Sequence, residues 1–395
     1  MSNRKSYLPF DRIVFSEFSE IPWPCFIKPS DGELLTSWLT RLAHNHLVRY
    51  YAFCSANFSG TEFWNRDLDR KLPDAIKKKI ISKSQLNNDI VASMCLNSFQ
   101  PNVFLGDLEP RSYWITQLLF YQKNRKHDQS MMVCTECFKV DNENPYYRKK
   151  WRLTISTICV SCGKNLIDEC PQCGASINYL LAERGKKFQA PLFPITCCWK
   201  CLFNLADFQS QNSSVHSLVV QKRIDQYAKT GHAAERGLGY SHLYFSVLKK
   251  IITLLNKDND QLKRLQELIC SEVNIEFSEP SGNRQNTFNN LKVEARRSLL
   301  EKAAWLLDDW PFRFRSITEK CNLRSKLFFD DFPDCPYWFY DEVRTYNQLV
   351  HSEWRKSFPD FKYGSFREFS TWQVSKAKLQ KLVGKNIRKS NRKEE

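Results

Sequence analysis

Eight cysteines set in four C-x2-C pairs, Cys134/Cys137, Cys159/Cys162, Cys170/Cys173 and Cys198/Cys201, constrain this chain more than any other feature. Each pair puts two thiols on one side of a tight turn, and two such turns complete the four-sulfur tetrahedron that structural Zn2+ accepts. If neighbouring pairs combine, the segments between them are 21 and 24 residues, close to zinc-ribbon spacing. Gly163 and Gly174 each follow the second cysteine of a pair, where a residue of positive φ closes the turn. All eight are therefore expected as ligands of two structural Zn2+. Sequential pairing lets each ribbon close locally. Cross-bracing, first with third and second with fourth, stays open because Cys162 and Cys170 lie only eight positions apart. Cys197 is a spare beside Cys198, whose spacing fits the pair better.

Other cysteine chemistries fit less well. A thioredoxin-type C-x-x-C needs one pair on a βαβ scaffold, not four in series, and catalytic zinc keeps an open position that these pairs leave no room for. Cys25, Cys54, Cys95, Cys270, Cys321 and Cys335 are scattered and read as small core hydrophobes. Metal-ligating rather than disulfide-bonded pairs suit a reducing compartment. The N-terminus lacks an apolar secretory core and no apolar run of membrane length occurs, so a soluble cytoplasmic protein without a membrane partner is expected, nucleoid-associated when bound to DNA.

Around the cysteines the pattern is helical. Ser30 and Glu33 stand in capping-box spacing, followed by Leu34, Leu35, Trp38, Leu39 and Leu42 on one face. Further helices are expected over 74–97 and 111–124, then 216–229, 241–256, 259–271, 288–309, 337–356 and 370–383. This divides the chain into a helical region 1–125, a tandem zinc-ribbon region 126–210 and a helical region 211–395. The expected fold class is mainly α, with the helical regions flanking two small β zinc ribbons.

The net charge of +16 points to an anionic partner, with double-stranded DNA foremost. Three stretches supply candidate phosphate contacts. Arg148, Lys149, Lys150 and Arg152 interleave with Tyr146, Tyr147 and Trp151, although Tyr147 and Trp151 equally suit a ribbon core with the charges facing water. Lys186 and Lys187 sit in the loop of the second ribbon. Lys385, Arg388, Lys389, Arg392 and Lys393 extend a segment, 370–383, that suits one helix of a helix-turn-helix. The seven histidines share no ligand spacing.

The helix SDGELLTSWLTRLA after a Pro-rich lead-in, the phrase WNRDLDR at 64–70 and the block YYRKKWRLTISTICVSCGKNLIDECPQCG at 146–174 together resemble the TniQ/TnsD family of transposon target-site selectors. Asp309-Trp310-Pro311-Phe312, with Phe314, is similar to that family's C-terminal helical region. The resemblance spans about 30–330. In the family the second pair is commonly C-x2-H; Cys162 here keeps a tetrahedral set. The resemblance implies largely helical members with helix-turn-helix-like parts around two zinc ribbons. It also implies a non-catalytic adaptor that recognises a target, either an attachment sequence directly or a CRISPR effector with its guide RNA on DNA, and recruits an AAA+ ATPase that brings the transposase. Only the resemblance suggests that His44 and His46 lie where the N-terminal helical region meets that ATPase.

No phosphate-cradling G-x4-GK[ST], no HExxH and no GxSxG occurs, so nothing positive supports an enzyme. Two other classes compete with the adaptor. A zinc-ribbon transcription regulator would bind its own operator, and a metal-dependent nuclease would need carboxylates converging on metal ions, which spacing cannot reveal.

Overall fold

The computed structural model describes residues 22–58, 66–106, 108, 113–116, 131–182, 192–233, 238–273, 277 and 287–348. Its helices are α1 Leu35–Asn45, α2 Tyr50–Asn57, α3 Asp74–Ser84, α4 Asn88–Ser93, α5 Thr135–Asp141, α6 Val215–Thr230, α7 Ser241–Leu255, α8 Asp260–Val273, α9 Val293–Leu307, α10 Phe312–Lys320, α11 Lys326–Phe329 and α12 Tyr337–Gln348. Among the described residues the one sheet is a hairpin, β1 Ile158–Cys159 antiparallel to β2 Lys164–Asn165. The fold is mainly α, as expected. No helix among the described residues is long and apolar enough to cross a membrane.

The chain forms two compact units, residues 1–98 with 107–212, and residues 99–106 with 213–395. In the first, the apolar stripe of α1 is fully enclosed: Leu34, Leu35, Trp38, Leu39 and Leu42 expose nothing. The Pro-rich lead-in covers this face, with Trp23 against Trp38 and Phe53 and its indole N–H donated to Asn57 (2.8 Å). Half of the capping-box expectation holds. Glu33 accepts the Ser30 N–H (2.9 Å) and its carboxylate is buried against Arg41 (2.6 Å) and Ser37 (2.9 Å), but the helix begins at Leu35, with the Leu34 N–H given to the Tyr147 carbonyl (2.9 Å) and the Leu35 N–H to the Met94 carbonyl (3.2 Å).

The helix expected over 74–97 is broken: Gln85 takes a left-handed C-cap at φ 59°, and Asn87 then caps α4 by accepting the Ile90 N–H. The helix expected over 111–124 is not present in its described part. There Ile115 bridges Leu153, with Thr116 N–H donated to the Arg152 carbonyl (2.8 Å) and Thr154 N–H to the Trp114 carbonyl (2.9 Å). An edge of backbone offered by the cysteine region thus overrides local helix propensity.

In the second unit α9 packs against α6, α7, α8 and α10. Helix α7 adds Leu243, Phe245, Val247, Leu248, Ile251, Ile252, Leu254 and Leu255 to that core. Phe314, Phe328, Phe339 and Trp310 form an aromatic cluster beside the turn that joins α9 to α10. The segment expected as a helix at 370–383 lies outside the described residues.

Candidate metal centres and the buried ion-pair knot beside them

The structure gathers the eight cysteines into two sets of four, Cys134, Cys137, Cys159 and Cys162, and Cys170, Cys173, Cys198 and Cys201, with the sulfurs of each set within 4.8 Å of one another. The pairs therefore combine sequentially. Cys198 joins the second set and Cys197 does not.

The spacing inside each set fits a metal and not a bond between sulfurs. Cys137 Sγ lies 3.5 Å from the sulfurs of both Cys159 and Cys162; Cys170 and Cys201 are 3.6 Å apart, Cys173 and Cys198 3.7 Å. A disulfide would need about 2.05 Å, and all eight are free thiols. Four sulfurs at the ordinary Zn–S distance of about 2.3 Å define a tetrahedron with edges of about 3.8 Å. The donor set and geometry thus suit one Zn2+ per cluster.

Local backbone explains how the sulfurs converge. Cys134 caps α5 and Cys137 lies in its first turn. The other three pairs share a tight turn closed by a left-handed residue: Gly163 (φ 66°) donates its N–H to the Cys159 carbonyl (2.8 Å), Gly174 (φ 65°) to Cys170 (2.9 Å) and Leu202 (φ 66°) to Cys198 (3.0 Å). The expectation of positive φ at both glycines is met. In the second cluster the Lys200 N–H also points at Cys198 Sγ (3.4 Å), the kind of outer-shell donor that steadies a thiolate ligand.

Between the two cysteine pairs of the first cluster runs the aromatic and basic block. Tyr147 and Trp151 are buried and pack edge-on with Phe138, the packing role weighed for them from sequence. The block is stitched to the start of α1: Leu34 N–H donates to the Tyr147 carbonyl (2.9 Å), Lys149 N–H to Gly32 (2.8 Å), and Tyr147 N–H to the Ser37 hydroxyl (2.9 Å).

Its cations have individual fates. Arg148 forms a two-pronged pair with Asp141, both contacts 2.8 Å, and lies over the rings of Tyr146 (4.2 Å) and Trp151 (4.8 Å). Lys149 Nζ donates to the Ser93 carbonyl and the Ser98 hydroxyl, each at 2.6 Å, and burial lowers its pKa. Lys150 is half-exposed. Lys186, Lys187, Lys385, Arg388, Lys389, Arg392 and Lys393 lie outside the described residues.

Arg152 is placed differently from the surface role expected of it. Its side chain is 1% exposed and meets Asp67 Oδ2 at 2.6 Å, Asp69 Oδ2 at 3.3 Å, the Thr116 carbonyl at 2.8 Å and the Thr116 hydroxyl at 3.1 Å. Asp69, fully buried, also accepts from the N–H and hydroxyl of Thr36 (2.8 and 2.7 Å), and the Tyr179 hydroxyl closes the knot on that same Thr36 hydroxyl. Burial, with the Asp67 charge beside it, pushes the Asp69 carboxyl up to about 7 against the pull of Arg152. Asp67, Asp69, Thr36 and Tyr179 were not foreseen as a group. The one signal for them was an Asp-x-Asp pair in a strongly basic chain, within the WNRDLDR phrase.

The remaining scattered cysteines divide. Cys54, Cys95, Cys270 and Cys321 are buried as expected, whereas Cys25 is exposed and Cys335 half-buried.

No curated protein matches the chain. Residues 24–162, which run from the lead-in through α1 and the Arg152 knot to the last cysteine of the first cluster, match the family model TniQ, and the chain carries a TniQ domain over that stretch.

Proposed function

We propose that this protein is a non-catalytic target-selection adaptor of a DNA transposon, holding two structural Zn2+, binding target attachment-site DNA directly and recruiting an AAA+ ATPase that brings in the transposase. The observation that carries the reading is the TniQ domain at 24–162, which supports a transposition-associated adaptor role. Two four-sulfur clusters in one unit and a net charge of +16 support the metal and the nucleic-acid parts. When bound, each Zn2+ supplies cross-linking rather than chemistry, since four thiolates leave it no open position. The eight cysteines hold it, and the turns at Gly163, Gly174 and Leu202 orient them.

The phosphate contacts we propose come from the basic stretches of the sequence. Arg152 is enclosed, and Arg148 and Lys149 are engaged within the chain. Lys150, Lys186, Lys187 and the basic tail are the proposed contacts, on their place in the sequence. Replacing Arg388, Lys389, Arg392 and Lys393 together by Ala should weaken binding to a duplex. It should also flatten the salt dependence, since every phosphate that is no longer neutralised lowers the slope of log K against log salt by about 0.9. An unchanged slope would remove the tail from the interface. If the wild-type protein bound no duplex at all, direct DNA recognition would fail and docking on an RNA-guided effector would replace it.

A further inference from the structure

The three tight knuckle turns have the same backbone but not the same closing residue. At Gly163 and Gly174 the left-handed φ costs nothing sterically, while at Leu202 the same φ of 66° is carried by a branched side chain that is 44% exposed. A left-handed conformation is unfavourable for any residue with a Cβ and rare for large ones, and such outliers cluster where a segment binds something. Burial does not explain this one, because nearly half of the Leu202 side chain faces solvent.

Its surroundings indicate the kind of partner. Lys200 is the one charged residue inside the Cys198–Cys201 knuckle, with Asp207 following and Glu169 preceding the other knuckle of the cluster. Lys200 is exposed. Trp199, next to Lys200, donates its indole N–H to the Ser176 carbonyl (2.8 Å), which ties the Leu202 turn to the neighbouring knuckle. The tip thus sets an exposed leucine in a tight turn beside an exposed cation.

We propose that the Cys198–Cys201 knuckle is a DNA-contacting tip in which Lys200 meets a phosphate and Leu202 wedges against a base step from the minor groove. Rigid apolar wedges of this kind, Leu among them, partly unstack a step and bend the duplex. The proposal rests on the direct-binding reading above and adds the residues and the mode of contact.

The test compares wild type, Leu202→Gly, Leu202→Asn and Lys200→Gln on a mixed-sequence duplex, with zinc content, Tm and DNA bending measured alongside. Gly and Asn both accept the left-handed turn, so each variant should keep two zinc ions and a Tm within about 3 °C of wild type. Duplex affinity should nevertheless fall about tenfold, in line with removing one side chain that stacks on or wedges between bases, and the bend should shrink. Lys200→Gln should leave the bend and reduce the salt slope by about 0.9, the share of one phosphate. A Tm loss that tracks the affinity loss in both Leu202 variants would make the residue a packing element and overturn the proposal. So would duplex affinity and bending equal to wild type, which would assign the tip to a protein partner. A wild-type protein that binds no duplex would sink the direct-binding reading itself, an outcome distinct from either of these.

Discussion

Cys170→Ser should lower the zinc content of the purified protein from the expected two ions per chain to about one, by the ligand-count argument. Cys170 is buried and its sulfur stands 3.6 Å from that of Cys201, so an alcohol in its place leaves three thiolates and a poor fourth donor. In small metal domains binding free energy is folding free energy, and among the described residues the second cluster's sheet-like pairings are the isolated bridges Glu169–Ser176 and Cys197–Asn204. The same substitution should therefore open the segments around both pairs of that cluster in hydrogen exchange while the first cluster keeps its metal. Metal analysis of the variant that still returned two ions would overturn the ligand assignment.

Arg152→Ala should be nearly as damaging, by a different route. Removing one partner of a buried ion pair strands the other, at about 3–5 kcal/mol. Here two carboxylates are stranded, Asp67 at 10% and Asp69 at 0% side-chain exposure. For a unit of this size the loss corresponds to a Tm lowered by roughly 10 °C. Lys in the same place should recover only part of it, because an ammonium cannot span both carboxylates and the Thr116 carbonyl at once. The measurement that separates this from a surface role is the salt slope of duplex binding below the melting range. A flatter slope with an unchanged Tm would return Arg152 to the DNA interface; a lowered Tm with an unchanged slope is expected.

That residue also shows where reading the sequence stops. Cysteine spacing is dictated by the geometry of one ion, so the sequential grouping that loop closure favours is also the grouping found. The stripe Leu34, Leu35, Trp38, Leu39 and Leu42 was legible because helical periodicity encodes which side faces a core. Arg152 was not, because a basic residue beside an aromatic looks the same whether its partner is a phosphate or a carboxylate brought in from 85 positions earlier. Where the stretch expected as a helix over 111–124 is described, at 113–116, the backbone is bridged instead for a related reason: propensity is local, and Ile115 answers to Leu153. Leu202 was silent in a C-x2-C pattern, and only its φ, measured beside those of Gly163 and Gly174, sets it apart.

The zinc knuckles and the knot around Arg152 give the TniQ domain one consistent physical reading. Backbone hydrogen bonds and a buried ion pair fix the 147–153 segment in the first unit beside the first cysteine cluster, and direct DNA binding is the function proposed for the protein they hold together. The most direct test of that reading is footprinting of the purified zinc-loaded protein on genomic DNA fragments at two salt concentrations, with no guide complex present. A discrete protected site that weakens steeply with salt is the predicted result. Weak protection spread evenly over all fragments would contradict it.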